Sequence, residues 1–160
     1  MTTEIPTFKF QLDPALEKLC EGSKYKPSDF LPSRAHASDT CYDLKASQQM
    51  SLAPGVYKKI PLGIKVFCPP GWALTVKPRS SSFIVKNLDS LYGEIDNGFE
   101  DYLSFLVCWR PCLSKLLHED FIVNFGDRIA QLNPVRVQDM KIDTVDENEF
   151  KALCEARKGT

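Results

Sequence analysis

Residues 125–132 read Phe125-Gly126-Asp127-Arg128-Ile129-Ala130-Gln131-Leu132. Glycine beside aspartate marks a turn, and the apolar anchors Ile129 and Leu132 mark a strand leaving it. Asp127, Arg128 and Gln131 therefore crowd one turn–strand junction. A carboxylate, a guanidinium and an amide gathered there look like part of a site more than a solvated loop. The plainer alternative is a local Asp127–Arg128 ion pair, worth under about 1 kcal/mol.

Outward from this junction, strand signals dominate. Thr7 to Leu12 alternates, with Phe8, Phe10 and Leu12 on one face. Further short strands are predicted near 41–46, 55–60, 62–68, 72–77, 83–86, 102–109, 120–125 and 128–137. Pro54-Gly55, Pro61, Pro69-Pro70-Gly71 and Pro78 punctuate them. Many short strands separated by turn signals predict an all-β sandwich, jelly roll or compact barrel.

Helical signals sit near the two ends. Asp13-Pro14 predicts an N-cap with proline at the first helical position. Leu16, Leu19 and Cys20 form a short stripe, and Gly22 is the stop. Residues 22–34 are polar and proline-punctuated, so 12–32 is expected to be an insertion or loop. At the other end, Asp146 and Glu149 resemble a capping box, and Phe150, Leu153, Cys154 and Arg157 share a face. This predicts a helix within 146–159. No repeat or linker divides the chain, so residues 1–160 are expected to form one domain.

The chain has 20 Lys+Arg against 21 Asp+Glu, a formal charge of −1, which argues against nucleic-acid binding. No apolar run approaches a membrane span, and the N-terminus shows no basic and then apolar leader. The expected location is cytoplasmic, or nuclear or host-cytoplasmic, and not secreted. The six cysteines are scattered, which fits reduced thiols. Cys108, Cys112 and His118 lack a fourth ligand and match no common zinc spacing, so buried thiols near a hairpin are the better reading.

Four islands carry the chemistry: Ser38-Asp39-Thr40-Cys41-Tyr42-Asp43-Leu44, Pro78-Arg79-Ser80-Ser81-Ser82, Gly93-Glu94-Ile95-Asp96-Asn97-Gly98-Phe99, and the octapeptide above. Hydrolysis of a phosphoanhydride needs a carboxylate to orient water and donors for the charge on phosphate oxygens. Arg79, Ser80 and Ser81 supply donors in one turn, and such a turn adds backbone N–H groups. Asp96, between Ile95 and the turn pair Asn97-Gly98, is expected at the mouth of a hairpin. Taken singly, each island has a bland reading: a polar turn, an Asn-Gly hairpin turn or a strand-edge aspartate. Their joint occurrence in this order is specific.

Together the islands resemble the first four motifs of the trimeric dUTPase family, over roughly residues 32–132. The resemblance implies a jelly-roll or β-clip domain with short terminal helices, assembled as a homotrimer with active sites at subunit interfaces. It implies cleavage of dUTP to dUMP and pyrophosphate, with Mg²⁺ carried by the triphosphate. By that analogy Asp96 holds the attacking water and the 3′-hydroxyl. Phe99, at the usual tyrosine's place, packs under the sugar and excludes a 2′-hydroxyl. Backbone about Leu103-Ser104 reads uracil. Arg79, Ser80 and Ser81 face the phosphates, and Gln131 faces the α-phosphate or the water. Gly93, Ile95, Ser90 and Arg157 complete the substrate set. No protein side chain is expected to bind the metal directly. Asp43 supports its water shell or the phosphate site, and Asp127 and Arg128 organise the interface.

This chain departs from the family pattern at several positions. Cys41 stands for a usual glycine, Glu100-Asp101 for a pair ending in glycine, and Ser90 for asparagine or threonine. Residues 108–119 read as an extended hairpin insertion. Trp109, Leu113, Leu116 and Leu117 would give it an apolar patch for a protein partner. The family's fifth motif is an arginine followed by a glycine-rich, phenylalanine-containing tail. Here Arg157 stands at the arginine's place and the sequence reads to Thr160, so reduced turnover is expected without that lid. A nucleotide-responsive binding or regulatory protein on the same fold is the alternative. A relative of dCTP deaminase is a lesser one, because that enzyme's glutamate base falls at Leu106 here.

Overall fold

A computed structural model describes residues 4–111 and 120–158 of the chain. In chain order the strands are β1 (Lys9–Leu12), β2 (Tyr42–Lys45), β3 (Met50–Leu52), β4 (Tyr57–Pro61), β5 (Ile64–Phe67), β6 (Trp72–Pro78), β7 (Leu88–Ser90), β8 (Gly93–Ile95), β9 (Ser104–Trp109), β10 (Phe121–Val123) and β11 (Arg128–Arg136). The helices are α1 (Ala15–Leu19), α2 (Ser80–Ile84) and α3 (Glu147–Lys158), and a 3-10 turn spans Pro27–Phe30. A four-stranded sheet runs β2-β11-β6-β8, and a three-stranded sheet runs β4-β9-β7. The pairs β1-β5 and β10-β3 complete a jelly-roll β fold. All strand pairs are antiparallel.

Inward residues of the two larger sheets share one core: Leu44, Leu74 and Leu132 from the first, Ile60, Phe105 and Val107 from the second. Phe8, Phe10 and Leu12 pack against it from alternate positions, as the period of two requires. The octapeptide forms the predicted turn and strand. A bulge in the β11–β2 register between Arg128 and Ala130 turns two successive residues, Ile129 and Ala130, into the core. Gln131 then returns to the outer face.

Residues 12–32 fold more tightly than an insertion loop would. The Asp13 carboxylate accepts the Ala15 N–H at 2.9 Å at the start of α1. Leu16, Cys20 and Phe30 build a second small core, joined by Tyr25 and Phe125. The rings of Phe30 and Phe125 lie 4.9 Å apart, and Tyr25 meets Phe125 edge-on at 5.8 Å. The same cluster constrains the octapeptide. Gly126 has φ +83, and a Cβ there would collide with the ring and hydroxyl of Tyr25. Gly126→Ala is expected to cost about 2–4 kcal/mol from backbone strain and overpacking. Thermal unfolding should read this as a Tm lower by roughly 5–15 °C. In a Tyr25→Ala background the added cost should shrink to the backbone part, about 1–2 kcal/mol.

Several strand expectations are corrected. Residues 83–86 do not form a strand, because Phe83 and Ile84 close the helix α2. Three apolar residues, Phe83, Ile84 and Val85, are too few for periodicity to separate helix from strand. The three serines after an extended Arg79 set the helical turn, and Asn87 at φ +53 ends the segment. The three-residue strands β3, β7 and β8 carried too little pattern to be seen. Asp146 caps α3, its Oδ1 accepting the Asn148 and Glu149 N–H groups at 2.9 Å. Leu19, Phe150 and Leu153 are exposed on their helices.

The apolar patch expected at 108–119 loses its aromatic member. Trp109 is buried at the end of β9, with its ring centroid 5.9 Å from that of Phe121. Cys112, Leu113, Leu116, Leu117 and His118 lie outside the described residues. Among the described residues Cys20, Cys41, Cys68, Cys108 and Cys154 are unpaired thiols. Burial pushes the Cys68 thiol up, and burial together with Asp29 and Glu17 pushes up Cys20.

Candidate active site

β2, β6 and β11 lie side by side, and their registers bring three islands to one place. Gln131 sits opposite Asp43 on one side and Lys77 on the other. Pro78, Arg79 and Ser80 follow as β6 runs out into α2. Asp43 is the hub. Its Oδ1 lies 2.8 Å from Arg79 Nε, and its Oδ2 accepts from Arg128 Nη1 at 3.2 Å. Arg79 Nη1 also reaches the Arg128 carbonyl at 3.5 Å. Both oxygens of Asp43 thus hold guanidinium groups, which orients two cations toward the same opening.

Gln131 is fixed by its own amide, which donates to the Pro78 carbonyl at 2.9 Å. Its carbonyl oxygen is left to accept from a water or a hydroxyl. Ser82 is buried with its hydroxyl 3.4 Å from the Ile129 carbonyl, so it ties α2 to β11. Ser80 is exposed and Ser81 half-buried on the open side of the same turn. Asp127 plays a local part. Its carboxylate accepts the Asn124 N–H at 3.0 Å and closes the turn that presents Arg128.

This wall of Arg79, Ser80 and Gln131 has a cleft on each side. One, of about 490 Å³, is also lined by Lys77, Asp89, Ser90 and Tyr92. The other, of about 400 Å³, is also lined by His36, Asp39, Asp43, Ser81 and Arg128. The Ser90 hydroxyl is buried without a partner among the described residues. Sequence reasoning missed His36, Lys77, Asp89 and Tyr92 as cleft residues. Their only signal is adjacency in space, which β7 and the 34–41 loop create on folding.

Asp96 stands elsewhere. Gly93 pairs with Val76 and Ile95 with Leu74, so Asp96 continues toward Ala73, at the start of β6. Arg79 follows the other end of that strand. Six residues of extended chain separate these positions by roughly 20 Å. The expected hairpin also takes another form. β8 pairs with β6, while β9 pairs with β4 and β7, so residues 96–103 cross from one sheet to the other. Asp96 is exposed at the start of this crossover, and the Phe99 N–H returns to the Asp96 carbonyl at 3.0 Å.

The crossover changes which backbone faces a ligand. Leu103 is 1% exposed, its N–H donates to Ile64 and its carbonyl accepts from Leu62. Both backbone groups are in use, so Leu103 drops out of the expected base-reading segment. Ser104 is exposed, the first residue of β9, opposite Pro61. Phe99 is 40% exposed and lines a groove of about 380 Å³ with Lys65, Asn97, Gly98 and Glu100. Gly93 and Ile95 are half-buried in β8, and Arg157 is exposed on α3. The structure therefore gathers Asp43, Arg79, Ser80, Ser81, Ser90, Arg128 and Gln131 at one end, and Asp96 and Phe99 at the other.

A family model described as dUTPase matches residues 29–159. Among curated proteins, the deoxyuridine 5′-triphosphate nucleotidohydrolase of Mycobacterium sp. (strain JLS) is 31% identical over 132 residues, covering 81% of this chain and 82% of that protein. The protein of the same description from Solibacter usitatus is 31% identical over 116 residues, covering 70% and 75%. Among solved structures, the dUTPase of phage phi11 of S. aureus superposes with TM-score 0.71 at 21% identity, over 88% of this chain and 97% of that one. The Streptococcus mutans dUTPase gives TM-score 0.64 at 22% identity, over 84% and 98%. A further phi11 structure is described with a structural Mg(II) ion.

Proposed function

The chain belongs to the dUTPase family, and on that premise we propose that it cleaves dUTP to dUMP and pyrophosphate at a site shared between copies of the chain. The observation that carries this reading is the division of the motif residues between the two ends of β6. A triphosphate held at Arg79 and Ser80 lies too far from Asp96 of its own chain for a water between them. A second copy, presenting its Asp96 crossover to the Arg79 wall of the first, completes the constellation.

Where the wall of one copy meets the crossover of the next, the contact joins two different surfaces, the kind that closes into rings. A three-fold ring is the assembly the family resemblance implies. Phe83, Ile84 and Val85 are exposed in one apolar stretch and Leu91 and Tyr92 in another, and Phe83 and Tyr92 line the cleft beside the wall. Burying such side chains stabilises by about 1.5–3 kcal/mol each when complete, which suits the seat of a neighbouring copy.

In the assembled site the Asp96 carboxylate accepts a proton from water as its oxygen attacks the α-phosphorus. The bond from that phosphorus to the bridging oxygen breaks, and the electron pair leaves with pyrophosphate. Arg79, Arg128 and the Ser80 hydroxyl meet charge on the phosphate oxygens. Gln131 orients the water or the α-phosphate through its amide oxygen or nitrogen. Mg²⁺ fits as an ion carried by the triphosphate, because Asp43 already pairs with two guanidinium groups. When bound, it neutralises phosphate charge. Phe99 sits under the deoxyribose and leaves no room for a 2′-hydroxyl.

The test is pyrophosphate release with Mg²⁺ from dUTP, dTTP, dCTP and UTP in parallel. Release from dUTP at a rate at least about tenfold above each of the others is expected, a margin of about 1.4 kcal/mol in transition-state binding. Ammonia release from dCTP, or tight dUTP binding with no pyrophosphate, would replace this reading with a deaminase or a nucleotide-responsive binder.

A further inference from the structure

Asp96 sits on an exposed turn, yet a water-activating carboxylate must be held to within a fraction of an ångström to work. The next residue supplies the hold. Asn97 Nδ2 donates to the Cys68 carbonyl at 2.8 Å and to the Pro69 carbonyl at 3.1 Å. One side-chain amide therefore ties the Asp96 turn to the turn between β5 and β6.

That second turn is a stiff anchor. Pro69 and Pro70 have fixed φ, and Gly71 adopts φ +78. The Trp72 N–H closes the turn on the Pro69 carbonyl at 3.1 Å, and the Val137 N–H fastens it from outside through the Gly71 carbonyl at 2.9 Å. On the other side of Asn97, the bond from Phe99 N–H to the Asp96 backbone carbonyl at 3.0 Å fixes the main chain that carries both side chains. Residues 96–99 thus form one hydrogen-bonded turn, and Asn97 is its side-chain brace to the sandwich.

The geometry points to Asn97 as a positioning residue for the reaction: it sets the height and direction of the Asp96 carboxylate without touching substrate. This inference rests on the proposed dUTP hydrolysis. It gives the amide of the Asn-Gly pair a role beyond turn formation, since neither Asn97 nor Gly98 has the positive φ of a tight hairpin.

The experiment compares the full chain with Asn97→Ala, Asn97→Asp and Asn97→Gln. Asn97→Ala should lower kcat about 10- to 100-fold, the size associated with small displacements of a catalytic group. KM for dUTP and binding of dUDP should stay within about threefold, because the wall that holds the phosphates is on another element. Asn97→Asp should fall as far, since an acceptor replaces the donor opposite two carbonyl oxygens. Asn97→Gln, which keeps the donor, should recover part of the loss. Hydrogen exchange at the Phe99 amide should speed up in Asn97→Ala and Asn97→Asp. The inference is overturned if Asn97→Ala keeps kcat within twofold, or if kcat, dUDP binding and Tm all decline together. If the parent chain releases no pyrophosphate, the functional reading fails by itself. Unchanged Phe99 exchange in Asn97→Ala would then reject the brace separately.

Discussion

Asp96→Asn lowers the rate of pyrophosphate release from dUTP by about a thousandfold or more and leaves nucleotide affinity within a few-fold. Removal of a general base is worth about 10²–10⁴ in rate. The upper part of that range applies here because the carboxylates at the phosphate wall are already engaged, Asp89 with Arg110 and Asp39 with the His36 N–H. Asp43 is engaged by Arg79 and Arg128, and Asp127 closes its own turn. Asparagine keeps the size and the hydrogen bond to water but cannot take its proton. Binding is spared because the phosphates are held by Arg79, Ser80 and Gln131, at the other end of β6. Steady-state turnover and calorimetry with dUDP read the two quantities separately. Turnover near that of the parent would remove Asp96 from the mechanism.

Two inactive variants restore activity when mixed. Arg79→Ala keeps an intact Asp96 crossover on a damaged wall, and Asp96→Asn keeps an intact wall. If each site takes its wall from one copy and its Asp96 from another, some sites in a mixed ring draw both intact parts. With equal amounts and random assembly, about one site in four is whole, so activity should return to about a quarter of the parent level. Exchange of subunits must be allowed, by mixing under dissociating conditions or by co-expression. The reasoning is metrical: β6 holds the two parts roughly 20 Å apart in one chain, several times the reach of a hydrogen-bonded water. Mixtures no more active than the sum of the separate variants would mean that the site is built within a single copy.

The octapeptide could be read from sequence because its signals are local. A glycine turn, apolar anchors and polar residues between them are all set within a few positions. The all-β class followed from many short alternating runs, since one buried face forces a period of two, and the jelly roll within that class followed from the family resemblance. The site's wall was legible too, through the order of Asp43, Arg79-Ser80 and Gln131. Other features depended on contacts between distant segments. Phe83-Ile84-Val85 carries strand-like residues, but Phe83 and Ile84 close α2 and Val85 caps it, because the serine turn before them dictates the path. Trp109 looked like an exposed partner surface, but Phe121 covers it from across the chain. Leu103 looked available for base reading, but Ile64 and Leu62 had already taken its backbone. The separation of Asp96 from Arg79 is a matter of strand register, and register does not appear in the order of residues along the chain.

Asp43 gives the free protein a particular chemistry at its phosphate wall. Two guanidinium groups and one carboxylate leave a net charge of +1 among the three, with both cations in contact with the carboxylate. Binding a triphosphate is then an ion-exchange event, in which phosphate oxygens compete with Asp43 for the two cations. Such a wall attracts stray anions weakly, because a small anion gains little by displacing a carboxylate already in place. A polyphosphate anchored also through its sugar and base reaches the same cations at high local concentration. Inorganic phosphate and nucleotides that miss the base contacts meet a screened surface. Asp43 thereby shifts discrimination among anions away from charge and toward the rest of the nucleotide.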